Sequence, residues 1–179
     1  EWSDYKPDFL MLNGRVYPDT LAPSGSVDPF NPVVDANGDL VPTPGYEHLQ
    51  YQPVSSLVQA NAGERVLFRF VNLGFKYQSM NLTGLRMRVV GKDATWLRGR
   101  YGADLSYETS AVSIGPGESF DAILEVPAYR GTGPYDTYLL YDRSYHRLNR
   151  LDGSGNGGPL TELRVFPAGA LPSQALPNT

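Results

Sequence analysis

Residues 113–126 read SIGPGESFDAILEV, and the reading of this stretch decides the fold. Two glycines, a proline, Glu118, Ser119 and Asp121 crowd into 113–121, and an apolar alternation follows at once. Phe120, Ala122, Leu124 and Val126 fall on one face, and Ser119, Asp121, Ile123 and Glu125 on the other. A period of two is the signature of a strand with one buried face. Pro116 and Gly117 supply the turn before it, because proline presets φ and glycine accepts positive φ. The polar knot is therefore predicted to be the entrance to a strand. Phe120 turns inward and Asp121 outward, where it is expected to bond a neighbouring loop.

The same period recurs outward from this point. In RVLFRFVN (65–72) Val66, Phe68 and Phe70 form the inner face, with Arg65, Leu67, Arg69 and Val71 outside. In TELRVF (161–166) Leu163 and Val165 face inward against Glu162 and Arg164. Shorter strand patterns lie at 9–12, 57–59, 78–82, 86–90, 111–114 and 137–141, and a helical turn is predicted over 97–105. About seven to nine short strands with turn chemistry between them predict an all-β sandwich or barrel over 1–167. Residues 18–53 interrupt the rhythm with seven of the 15 prolines. They are expected to form a surface excursion; a sharper reading packs them on a neighbouring domain or on the rim of a cleft. Asn37-Gly38 within them predicts a type I′ hairpin turn. Residues 168–179 read as a Pro/Ala-rich linker.

Composition narrows function by exclusion. With 179 residues, no cysteine, two histidines and a net charge of −4, the chain offers no thiolate chemistry and no basic, aromatic-interleaved face for nucleic acid. No apolar run approaches the roughly 20 residues of a membrane span, and the opening EWSDYKPDF has no signal-peptide pattern. Asp35, Asn37 and Asp39 alternate as in a calcium loop, but the required glycine and glutamate positions hold Leu40 and Tyr46. In DGSGNGG (152–158) Gly157 fits and Leu163 does not. His48 and His146 are the weak metal candidates, each without a second histidine at ligand spacing. No nucleophile elbow or phosphate loop is present. Asn81-Leu82-Thr83 is a glycosylation sequon on an outward strand position.

Four stretches, in order, resemble the middle domain of a three-domain multicopper oxidase of the laccase type. They are FLMLNGRVYP (9–18) with Asn13-Gly14, GERVLFRFVNLG (63–74) with Gly63, Glu64 and Asn72, GLRMRVVGKDATWL (84–97) with Asp93, and IGPGESFDAILEVP (114–127) with Pro116, Gly117, Glu118 and Asp121. YLLYDRSYHRLN (138–149) fits the next strand. The chain departs from the pattern at Leu85, where the family often has histidine. It departs also at Ala94, where glycine often follows the aspartate, and at Ser119, which replaces a larger polar residue.

The resemblance implies a cupredoxin-like Greek-key fold in which these motif residues are structural. It implies a copper-free domain that spaces the copper-bearing domains of the same polypeptide and lines part of the substrate cleft. The parent enzyme would oxidise its substrate by single electrons and reduce dioxygen to water, in the periplasm or outside the cell. A type 1 copper needs a cysteine thiolate beside two histidines, and the trinuclear centre needs His-x-His pairs; this sequence has neither. No catalytic residue is expected here, and copper is expected only in neighbouring domains. The rival reading is a freestanding sandwich whose tyrosine-rich loops bind a protein or carbohydrate without catalysis.

Overall fold

The computed structural model describes residues 6–24, 34–41, 44–131, 133–150 and 155–174. The predicted linker beyond 174 and residues 152–154 of the 152–158 stretch lie outside the described residues. The chain divides into two compact units, one drawn from 1–57, 147–161 and 173–179, the other from Val58–His146 and Glu162–Pro172.

The second unit is built from two sheets. One has the order β1 (Val58–Asn61), β10 (Leu160–Phe166), β9 (Asp136–Asp142), β3 (Gln78–Leu82), β7 (Ala111–Ile114). The other has β2 (Arg65–Val71), β8 (Ser119–Glu125), β4 (Met87–Lys92) and β5 (Thr95–Trp96), with β6 (Tyr107–Thr109) also on β4. β1 runs parallel to β10, and the other registered pairs are antiparallel.

The alternation predicted for β2, β8 and β10 holds. Phe68, Phe120, Ala122, Leu124, Leu163 and Val165 are buried, while Arg65, Leu67, Arg69 and Val71 are exposed. Burial of the inner faces is the hydrophobic driving force for the sandwich.

Three expectations are corrected. The strand predicted at 9–12 is only a one-pair bridge, Leu12 with Arg15, because the chain reverses at once through Asn13 (φ 49) and Gly14 (φ 79). The type I′ geometry therefore sits at Asn13-Gly14. At Asn37-Gly38 only the glycine has positive φ. There the Gly38 amide bonds the Asp35 carbonyl at 3.1 Å, and the Asp35 carboxylate accepts from the amides of Asn37 and Asp39 at 2.8 and 3.0 Å. That is a type I turn with a left-handed glycine, favoured by the local aspartate bonds. The helical turn over 97–105 is instead a β-hairpin: Arg98 bridges Asp104, and the Leu105 amide bonds the Leu97 carbonyl at 2.9 Å. The apolar spacing there reflects one face of a ribbon, whose short flanking strands β5 and β6 raise the strand total to ten among the described residues.

The first unit has little regular structure beyond 3-10 turns at Asp19–Leu21 and Glu47–Leu49. Arg15, 2% exposed, is its hub. Its Nε donates to the Gln52 carbonyl at 2.9 Å, and its guanidinium reaches the carbonyls of Ala22 and Pro23 at 2.8 and 3.2 Å. Burial lowers the Arg15 pKa, and Asp19 opposes that shift. One planar cation thus satisfies loop carbonyls that have no ladder partner. No described helix is long and apolar enough to cross a membrane.

β4 and β5 are joined by Asp93 (φ 48) and Ala94 (φ 60), a two-residue turn with both residues left-handed. Aspartate tolerates that region, whereas alanine carries a Cβ penalty there. Ala94→Gly is therefore expected to stabilise the protein by roughly 1 kcal/mol, after the entropy cost of glycine in the unfolded chain. The check is a rise in the urea midpoint at unchanged m-value.

Candidate functional site

The motif residues of the second unit gather at the two ends of the β2–β8 pair. At one end Asn61, Ala62, Gly63 and Glu64 form a turn in which the Glu64 amide bonds the Asn61 carbonyl at 3.2 Å and Gly63 has φ 83. At the other, Gly115, Pro116, Gly117 and Glu118 do the same, with 3.1 Å and φ 79. Positive φ at the third position makes both type II turns, which is why glycine stands there. Each glutamate then folds back over its own turn. Glu64 accepts from the backbone and side-chain amides of Asn61, both at 2.8 Å. Glu118 accepts from the Gly115 amide at 2.7 Å and from Lys92 Nζ at 2.8 Å.

These bonds hold both carboxyls below the ordinary glutamate range. For Glu64 the Asn61 side-chain amide is the largest cause, with its backbone N–H second. For Glu118 the Lys92 ammonium leads and the Gly115 N–H follows, and Lys92 is raised in return. Lys92 Nζ also lies 5.1 Å from the centre of the Phe120 ring, so the cation caps the apolar end of the core. A Cβ at Gly115 would stand 3.0 Å from both Glu118 Oε2 and Tyr77 Cε1; the site needs the bare backbone.

The remaining motif residues knit the same end together. Buried Asn72 donates to the carbonyls of Lys76 and Ile114 at 2.8 and 3.0 Å and accepts from the Gly74 amide at 3.0 Å. Asp93 accepts from the Ser119 amide at 2.9 Å. Asp121 stands outward on β8, and its partner is a strand residue, Arg69 on β2 at 3.7 Å, not a loop. Asn13 and Gly14 belong to the first unit, where the Asn13 side-chain amide donates to the Ser55 carbonyl at 3.0 Å.

The two ends are roughly 23 Å apart, seven residues at about 3.3 Å each, so Glu64 and Glu118 converge on nothing. Every motif carboxylate of this unit has a partner within its own turn or on the adjacent strand.

The two histidines belong to different units. His48 is exposed in the first unit with Nε2 3.2 Å from Asp19 Oδ1. His146 is exposed, in the 3-10 turn Tyr145–Arg147, and belongs to the second unit. Among the described residues no group of three or more His, Asp or Glu side chains is placed to hold a metal. With no cysteine in the sequence, the residues of this chain do not fit a type 1 or trinuclear copper centre.

Sequence reasoning missed Asn61, Lys92 and Arg15. The signal for the first was available, since Asn-x-Gly-Glu and Gly-x-Gly-Glu each precede an alternating strand. Lys92 and Arg15 gain their roles through distant partners, which no local pattern announces.

Solved structures share this architecture, among them two copper oxidases. The chain matches a blue copper oxidase from Nitrosomonas europaea with a TM-score of 0.50 and 19% identity, over 61% of its own length and 30% of that chain. It matches the multicopper oxidase mgLAC with a TM-score of 0.51 and 22% identity, over 68% of its own length and 33% of that chain. The fold is therefore the cupredoxin-like sandwich found in multicopper oxidases, and the match spans about a third of those proteins. No protein-family model matches the chain, and no curated protein matches it.

Acid should dismantle the turns. Both glutamates have folded-state pKa values below the ordinary 4.5, so their contribution is present above that pH and fades as pH falls through the lower folded values. Stability is expected to drop below about pH 4.5, and Glu64→Gln with Glu118→Gln to flatten that acid limb. Urea midpoints measured between pH 3 and 7 check this. Asn72→Ala should cost roughly 1–3 kcal/mol at neutral pH, because buried backbone groups lose their partner.

Proposed function

We propose that this chain is a copper-free structural domain of a multicopper oxidase. It spaces the copper-bearing domains of the same polypeptide and walls part of their substrate cleft. The parent enzyme would couple one-electron oxidation of a substrate to reduction of dioxygen to water, in the periplasm or outside the cell. The observation that carries the reading is the pairing of a fold shared with two copper oxidases with a sequence that has no cysteine and only two histidines. Soft thiolate and clustered imidazole are what select copper in such centres. The motif residues support the same view, since their polar groups are spent on turns and strand ends.

Two measurements test it. The polypeptide encoded on either side of this segment should carry His-x-His pairs upstream and a His-Cys-His stretch downstream; flanks lacking both would contradict the proposal. Purified 179-residue chain titrated with Cu(II) should show no oxidase turnover, and His146→Ala should leave any weak copper binding unchanged. Copper-dependent oxidation of a phenol or a metal ion by this chain alone would overturn the assignment.

A further inference from the structure

Between β5 and β6 the chain leaves the edge of β4 as a hairpin. The Gly99 amide bonds the Ala103 carbonyl at 2.8 Å, and the Gly102 amide closes the tip on Gly99 at 2.9 Å with Gly102 at φ 83. The ribbon displays unusual apolar area: Trp96 is 69% exposed, Tyr101 93% and Leu105 55%.

The charges around it are unequal. Arg69 and Arg88 on the same sheet, and Arg86 just before β4, each have a carboxylate, in Asp121, Asp104 and Glu108 respectively. Asp104 is drawn below the ordinary aspartate range by Ser106 first and by Arg88. Arg98 and Arg100 have no carboxylate partner among the described residues. Each guanidinium instead lies over an exposed ring, Arg98 at 5.2 Å from the centre of Trp96 and Arg100 at 5.9 Å from that of Tyr101. Stacking holds a guanidinium flat and leaves its N–H edge free, the geometry that receives a carboxylate in a fork. Tryptophan, tyrosine and arginine are also the residue types that dominate binding energy at protein interfaces.

From this charge imbalance we propose that the hairpin tip, Trp96 to Tyr101, docks an acidic polypeptide segment that sets carboxylates against Arg98 and Arg100 and an apolar side chain against Trp96. A nucleic-acid strand would meet the −4 net charge of the chain, whereas a short acidic segment feels mainly the local cations. This inference is independent of the copper-free role proposed above.

The test is a titration of the isotope-labelled 179-residue chain with a synthetic octapeptide alternating glutamate and phenylalanine, followed by the Trp96 indole and Tyr101 amide resonances. Saturable shifts confined to 95–107 are expected. Arg98→Gln with Arg100→Gln should weaken the peptide about tenfold, as should raising salt. Arg86→Gln, whose arginine is already paired, should leave the affinity unchanged, and circular dichroism confirms that the variants fold. The proposal is overturned by equal binding of a glutamine-for-glutamate peptide, or by no binding up to about 1 mM. It is overturned equally by tighter capture of cellohexaose at Trp96, or by a dimer of this chain that the double variant abolishes.

Discussion

The second unit depends on one device used twice: a glutamate that bends back over a Gly-containing turn to hold the amide three residues before it. β1 and β7 are the two edge strands of the first sheet, and β2 and β8 are neighbours in the second. The Asn61–Glu64 turn carries the chain from β1 to β2, and the Gly115–Glu118 turn carries it from β7 to β8. Both of these crossings between the sheets are thus closed by the same carboxylate bond. The turns also lengthen the ladder. Gly63 and Glu64 exchange backbone bonds with Val126 at 3.1 and 2.9 Å, and Gly117 and Glu118 do so with Asn72 at 2.8 and 3.1 Å. The β2–β8 pair is consequently near two-fold symmetric about the Phe68–Ala122 pairing, with one turn clamped at each end.

Around that pair the polar side chains fall into place by geometry. Gly91 lies opposite Asp121, and a Cβ there would stand 3.2 Å from its carboxylate; the missing side chain lets Asp121 lie flat on the sheet beside Arg69. Lys92 follows the irregularity between Val89 and Gly91, which swings its stem over the end of the core toward Glu118. Asn61 reaches past its own turn and bonds both backbone groups of Leu171, at 3.1 and 2.8 Å, so the chain after β10 is held against the Glu64 turn.

How much of this the sequence disclosed follows from the range of each interaction. Strand existence and face were legible in β2, β8 and β10, because alternation is local and burial of one face enforces it. The entrance at Pro116-Gly117 was legible for the same reason, but the roles of Glu118 as clamp and as partner of Lys92 were not, because the second depends on a residue brought close only by the fold. The hairpin at 97–105 was misread because its apolar residues sit on one face of a short ribbon, and such a run fits either period. Asn13-Gly14 and Asn37-Gly38 show the limit of a dipeptide rule. The same two residues take different turns, since Asp35 bonds the backbone amides at 37 and 39 and no aspartate precedes Asn13 at that distance. Arg15 and Lys92 were invisible because their partners are set by tertiary approach.

The central claim is that the polar knot at 113–126 is a clamp of the fold and not a site. Amide hydrogen exchange tests it most directly, at two residues whose N–H groups point only at the turn carboxylates. The Asn61 and Gly115 amides are expected to exchange with the β2–β8 ladder amides, through the same global opening, and to lose that protection selectively in Glu64→Gln and Glu118→Gln respectively. Rapid exchange of both amides in the unaltered protein, while the ladder stays protected, would contradict the account.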